Sequence, residues 1–227
     1  MTTYNIAIDG PAGAGKSTIA RKAAAKLGFI YVDTGAMYRA MALYFLRKGI
    51  DRGDEKAIEA ACGEITISLE YREGVQKVFL NGEDVSGLIR TEEVSAMTSA
   101  VSVYSAVRQK LLELQRELAR SENVIMDGRD IGTCVLPCAQ TKIYLTAGSR
   151  VRAERRFKEL EEKGEMCNLE EIEQDIIERD YRDMHRDIAP LKQAKDAVYI
   201  DSSRMSIDQV AQAIVDAARE RGLEDDR

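Results

Sequence analysis

Tyr4–Leu27 reads YNIAIDGPAGAGKSTIARKAAAKL, and the fold is decided there. Tyr4–Asp9 has the apolar, branched character of a buried strand, and it stops at a glycine-rich turn. From Lys16 onward the residues are helix formers, with Ile19, Ala20, Ala23, Ala24 and Leu27 recurring at helical spacing. Gly28 stands where a helix-ending glycine belongs. Between strand and helix, Gly10, Gly15, Lys16 and Ser17 satisfy G-x-x-x-x-G-K-[ST], the phosphate-binding P-loop. Glycine lets the backbone wrap close to an anion, so that successive N–H groups face its oxygens, and the helix aims its positive end at the same point. A chance run of glycines would not also bring the right strand before it and the right helix after it. A nucleoside triphosphate is therefore expected along Gly10, Pro11, Ala12, Gly13, Ala14, Gly15, Lys16, Ser17 and Thr18. Lys16 would reach its β- and γ-phosphates, and the Ser17 hydroxyl would ligate Mg²⁺.

Working outward, Phe29–Asp33 reads as a second strand and Gly35–Lys48 as a helix with Met37, Ala40, Met41, Tyr44 and Phe45 inward. Strand, helix, strand predicts a parallel sheet with right-handed crossovers. The pattern then changes to period two: Ile65, Ile67 and Leu69 alternate with polar residues, Arg72-Glu73-Gly74 reads as a turn, and Val75–Leu80 is a second such strand. Asn81-Gly82 is a hairpin signal, with Glu83–Ile89 as a third strand. Helical character resumes at Thr91, and Val103–Arg120 is amphipathic. Asn123–Asp127, Thr141–Ala147 and Ala197–Asp201 complete five buried strands. Arg150–Lys163 and Leu169–Arg186 are charged helices around a polar turn at Gly164–Asn168, and Ser206–Gln209 is a capping box opening a terminal helix to about Arg221. The expected fold is α/β: a P-loop NTPase core with a five-stranded parallel sheet, an inserted domain carrying a small antiparallel sheet, and a helical lid. One domain is expected over 1–227, its core at 1–33, 101–149 and 187–227, the insertion at about 34–100 and the lid at about 150–186.

Composition narrows the setting. The 227 residues are 44% hydrophobic, ample for a core, with no apolar run approaching the roughly 20 residues that span a bilayer. The opening residues lack signal-peptide character. A net charge of −6 argues against a general nucleic-acid or membrane binder, so a protein that holds anions must collect its cations locally. The four cysteines form no C-x-x-C pair and the only histidine is His185. Free thiols, no zinc site and a cytoplasmic setting are expected, with His185 in a local packing or hydrogen-bonding role.

Two constellations carry chemistry. Asp127 ends an apolar strand, where a P-loop protein places the carboxylate that holds Mg²⁺ through water; capping the next turn is the structural alternative. The second is arginine placement: Arg39 after a strand end, Arg108 opening a long helix, Arg129 beside Asp130, and Arg179, Arg182 and Arg186 spaced to share one helical face, which Pro190-Leu191 would hold near the core. For Arg150 and Arg152, a salt-bridged solvent face serves at least as well. Planar guanidinium forks suit a phosphoryl group whose charge spreads over several oxygens. Transfer of a γ-phosphoryl to another phosphate brings two polyanions together and needs no general base, since the acceptor is already ionised. A helical pair with a polar hinge would close as a lid and exclude water.

IDGPAGAGKST at Ile8–Thr18, DTGAMYRA at Asp33–Ala40, DGRDIGT at Asp127–Thr133, ERDYRDMHRDIAPL at Glu178–Leu191 and IDSS at Ile200–Ser203 resemble the bacterial cytidylate kinases, nucleoside monophosphate kinases, across essentially the whole chain. The inserted meander is similar to their monophosphate-binding domain. The resemblance implies transfer from ATP to CMP or dCMP with Mg²⁺, in a mostly monomeric cytoplasmic enzyme. It also implies that Arg39 and Arg129 hold the acceptor phosphate, and that Ser99, Arg108 and Arg186 read the cytosine. Thr34, Asp130, Arg179 and Asp183 would serve the sugar and nearby contacts, and Arg182 and Arg186 would come in with the lid, so that Lys16, Arg129, Arg182 and Arg186 carry catalysis. Family members often have serine at the place of Thr34, and many have glycine or serine at position 17. Cytosine offers acceptors at O2 and N3 where uracil has a donor at N3, so an arginine aimed there discriminates. Another P-loop kinase, acting on UMP or a non-nucleotide acceptor, or a nucleotide-binding regulatory module are the alternatives; no N-K-x-D guanine-reading motif is present.

Overall fold

A computed structural model of the chain describes residues 3–72 and 75–224. It divides into two compact units, Met1–Ile30 with Glu122–Arg227, and Tyr31–Ser121.

The first unit is built on the expected nucleus. Strand β1 (Asn5–Asp9) carries the fully buried Ile6, Ala7 and Ile8. Helix α1 (Lys16–Leu27) follows, with Ile19, Ala20, Ala23 and Ala24 inward, and stops at Gly28, whose φ of +67° is the left-handed conformation that a terminating glycine supplies; its N–H reaches the Ala24 carbonyl. β2 (Ile30–Asp33), β6 (Val124–Gly128), β7 (Thr141–Thr146) and β8 (Val198–Asp201) join β1 in one parallel sheet of order β2-β6-β1-β7-β8, so β1 lies at the centre. Strand ends on both sides of the P-loop are therefore set by register: Asp9 stands beside Gly128 on one side and Tyr144 on the other. β8 departs from the five buried strands expected. It is an edge strand with Tyr199 56% exposed, and only Ile200 turns fully inward. Helix α8 (Ile207–Glu220) packs on α1 and opens with the predicted capping box, Ser206 and Gln209 bonding reciprocally. α6 (Ser149–Glu162) and α7 (Leu169–His185) form the charged helical pair.

The second unit is α2 (Thr34–Arg47), α3 (Glu55–Cys62), a three-stranded antiparallel sheet of β3 (Ile67–Arg72), β4 (Val75–Leu80) and β5 (Glu83–Asp84), then α4 (Glu92–Val101) and α5 (Ser105–Ser121). The α2 residues expected inward are all buried. Asn81 and Gly82 both have positive φ, as the hairpin signal requires. Glu73 and Gly74 of the expected turn lie outside the described residues. The third strand is only Glu83–Asp84; beyond it Val85 and Ile89 are buried from a loop rather than from a ladder. α3 has no counterpart among the expected elements, although Asp54 caps it by accepting the Ala57 N–H. The helical stretch from Thr91 is two helices, separated after Val101.

Candidate active site

Gly10 is glycine because nothing else fits. A Cβ there would stand 1.9 Å from the Leu145 carbonyl oxygen of β7. Gly13 and Gly15 take φ of +73° and +83°, which turns the loop into the first turn of α1. Lys16 is 6% exposed, and its ammonium donates to the Gly10 and Pro11 carbonyls at 2.7 and 2.6 Å. Burial, then the neighbouring charge of Arg129, holds Lys16 well below the usual lysine range, with Asp127, Asp183 and Asp9 pulling the other way. Pro11 and Ala14 are buried, Ala12 and Ser17 half-buried, and Gly13 and Thr18 exposed at the rim. The Ser17 hydroxyl donates to Asp127 Oδ2 at 3.0 Å, which brings together the two groups expected at a metal. Hydroxyl and carboxylate are hard oxygen donors, and with phosphate oxygens and water they fit Mg²⁺. Among the described residues no three His, Cys, Asp or Glu side chains cluster as a metal cage.

Around this loop the DGRD turn is pinned from below. Asp9, at the end of β1, accepts the Ile131 and Gly132 N–H groups at 2.7 and 2.8 Å. Burial pushes its carboxyl up to about 6, against the lowering pull of those two N–H bonds. The residues it holds begin a single π-helical turn, Ile131–Val135, directly after Arg129 and Asp130. Arg129 donates through Nε to Asp183 Oδ2 at 2.8 Å. Burial would raise Asp183, but the charge and bond of Arg129, with Arg179 and Arg186 behind, keep it below the ordinary carboxylate range. Arg186 Nη2 donates to Asp130 Oδ1 at 3.4 Å and its Nε to the Ala189 carbonyl at 2.7 Å.

The first unit thus assembles Lys16, Ser17, Asp127, Arg129, Asp130, Asp183 and Arg186. The shared helical face of Arg179, Arg182 and Arg186 does not exist. α7 ends at His185, and Arg186 has extended φ and ψ, so its buried guanidinium turns back to Asp130; the helix has already ended before Pro190 is reached. Arg179 is half-buried and Arg182 exposed. His185 stacks on Tyr181 and its Nδ1 meets the Tyr181 carbonyl, the local role expected. Cys62, Cys134, Cys138 and Cys167 are free thiols. Arg150 is the solvent ion-pair residue, exposed beside Glu154, Glu170 and Glu173. Arg152 is the opposite. It is buried, and donates to the Ala147 and Ala12 carbonyls, both at 2.8 Å, and to Asp180 at 2.6 Å, supporting the P-loop from behind. In the second unit, Thr34 is buried at the start of α2, Arg39 lies one turn further on, Ser99 is half-buried on α4, and Arg108 is half-buried on α5. Asp9, Arg152 and Asp180 are the polar residues of the first unit that motif spacing did not single out for the site. An acidic residue closing an apolar strand, as in Asp9, was the available signal.

A strand, P-loop and helix on a parallel sheet, with lysine, hydroxyl and carboxylate converging beside an arginine turn, define a P-loop nucleotide-binding protein of the small-kinase type. The model of the cytidylate kinase family matches residues 6–220, and the chain belongs to that family. It is 52% identical over 209 residues to a cytidylate kinase of Lactobacillus gasseri, covering 92% of this chain and 91% of that one. It is 48% identical over 217 residues to a cytidylate kinase of Shouchella clausii, covering 96% of each. Among solved structures, an uncharacterized protein from Eubacterium ventriosum is similar with a TM-score of 0.55 at 11% identity, over 96% of this chain and 99% of that one, a likeness of fold alone. Among the described residues no helix is long and apolar enough to cross a membrane.

Proposed function

We propose that the protein transfers the γ-phosphoryl group of ATP to CMP and dCMP, forming CDP or dCDP and ADP. The observation that carries this is one of register: β1 and β6 end side by side, Asp9 beside Gly128, so the P-loop with its buried Lys16 and the turn that begins with Arg129 leave the same end of the sheet. A triphosphate lysine and a phosphate-fork arginine side by side suit two phosphates meeting end to end. In this reading the P-loop N–H groups and Lys16 hold the donor phosphates, and Arg39 and Arg129 hold the acceptor phosphate. Ser99, Arg108 and Arg186 read the cytosine, while Thr34, Asp130, Arg179 and Asp183 serve the sugar and its surroundings. Ser17 and, through water, Asp127 would hold Mg²⁺, which when bound supplies charge neutralisation at the phosphates. Phosphate charge beside Lys16 would favour its ammonium form, opposing the effect of burial. Residues about 34–100 serve as the monophosphate-binding insertion, and α6 with α7, about 150–186, as the lid that brings in Arg182 and excludes water. A monomer acting in the cytoplasm is the accompanying proposal.

The test is ADP formation from ATP–Mg²⁺ with each nucleoside monophosphate in turn. CMP and dCMP should stimulate ADP release far above UMP, AMP or GMP. Equal stimulation by UMP would defeat the cytosine assignment.

A further inference from the structure

Asp33 closes β2 and caps α2, its Oδ1 accepting the Ala36 N–H at 2.9 Å. Its carboxylate then takes two guanidiniums. Arg39 Nη2 and Arg90 Nη2 each lie 3.1 Å from Oδ2. Asp33 and Arg39 have side chains 8% and 20% exposed, whereas that of Arg90 is 61% exposed. The single negative charge of Asp33 is thus shared between two guanidiniums. The two guanidiniums on one oxygen also repel each other, and an anion between them would relieve that repulsion.

The backbone that presents Arg90 is fixed on both sides. Ile89 is buried, and Thr91 caps α4 by accepting the Val94 N–H. Arg90 reaches Asp33 through Nη2, and with its side chain 61% exposed it keeps donors for an incoming group. Room is kept at position 35, where a Cβ would press to 3.0 Å from Arg39 Nη1 and 3.2 Å from Asp33 Oδ1. The start of α2 adds the positive end of a helix of 14 residues. A phosphate monoester at neutral pH carries about two negative charges, one more than a single free guanidinium can balance.

We infer that Arg90 is a further binding residue for the acceptor phosphate, sharing that dianion with Arg39 through their common Asp33. This rests on the cytidylate kinase reading and adds to it an arginine that reading does not include. Arg39 and Arg90 form two sides of one fork, and Asp33 fixes the angle between them.

The experiment is steady-state kinetics of R90Q and R90K against the wild type, with circular dichroism to confirm folding. R90Q should raise KM for CMP roughly ten- to a hundredfold, the scale of a lost charge-assisted hydrogen bond, and KM for ATP far less. R90K, which keeps the charge but loses the planar fork, should fall between. A KM for CMP within about twofold of wild type in both variants overturns the inference. So does an R39Q/R90Q double variant no worse than R39Q, which would make Arg90 only a prop for Arg39. To separate this from the parent reading, inorganic phosphate is titrated into the wild type while the arginine Nε–H signals are followed by NMR. Saturable shifts of both Arg39 and Arg90 support the anion site even in a protein that makes no CDP; unmoved signals overturn it.

Discussion

Replacing Arg152 by methionine should destabilise the protein and loosen its grip on ATP, because this arginine is buried against three acceptors at once. Its guanidinium ties the P-loop carbonyl of Ala12, the Ala147 carbonyl between β7 and α6, and Asp180 of α7. The ion pair is largely closed to water, with side chains 5% and 13% exposed; Arg152 holds Asp180 through Oδ2, and Oδ1 is buried without a hydrogen bond. Methionine fills the stem but strands the Asp180 charge, and breaking one side of a buried pair costs about 3–5 kcal/mol. At about 2–4 °C per kcal/mol for a chain of this size, the melting temperature should drop by roughly 6–20 °C. The assay is thermal unfolding of wild type, R152M, D180N and R152M/D180N. Neutralising Asp180 in the double variant removes the stranded charge, so R152M/D180N should recover a large part of the loss. KM for ATP should stay raised in both R152M variants, because the Ala12 carbonyl has lost its donor either way. A fall below about 1 kcal/mol in R152M, or a double variant no more stable than R152M, would refute the buried-charge account.

Lys16→Met keeps the stem of the P-loop lysine and removes a buried charge, so the fold should survive while turnover falls by about 10²–10³, the scale of one lost transition-state donor; unaltered kcat at saturating ATP would remove Lys16 from the chemistry. Asp183 is held below its ordinary carboxylate range in the folded protein, so its contribution is present above the unfolded value near 3.8 and lost as pH falls through the lower folded one. Acid denaturation of D183N, followed by circular dichroism, should accordingly show a shallower loss of stability below pH 4 than the wild type; an identical acid limb would show that Arg129 does not use this carboxylate.

Much of the donor half was legible because its causes are local. A P-loop needs glycine where β7 backbone crowds it, a lysine one step into the helix and a hydroxyl next, and those demands fall within eight consecutive residues, Gly10–Ser17. The buried strands and α2 were readable for the same reason, since periodicity is a property of a short window. Arg186 shows where that logic fails. Spacing of three and seven from Arg179 implied one helical face, but α7 stops at His185 and Arg186 continues extended toward Asp130, a partner 56 positions away. Arg152 and Arg150 are two residues apart with like composition around them, yet one supports the P-loop and the other lies in solvent ion pairs. Only the packing of α6 against α7 separates them. Arg90 escaped because nothing in its neighbours marks it; its meaning comes from Asp33, which the sheet of the second unit and α4 bring within reach.

Three cations of the first unit are answered by acceptors of the protein itself. Lys16 is bonded to the carbonyls of its own loop, Arg129 to Asp183, and Arg186 to Asp130 and a carbonyl. On the proposed reading a substrate phosphate would exchange these protein acceptors for its own oxygens. That exchange returns less free energy than the contacts alone suggest, because each bond made displaces one already present. It also favours the reaction's order of events. On the proposed reading, Asp183 would gain acceptor capacity for neutral hydroxyl or amine donors when a phosphate takes Arg129 from it. Recognition of the sugar would then be strengthened by an attached phosphate, and on this reading a nucleoside without phosphate should bind more weakly than loss of the phosphate contacts alone predicts, which calorimetry of cytidine against CMP would check.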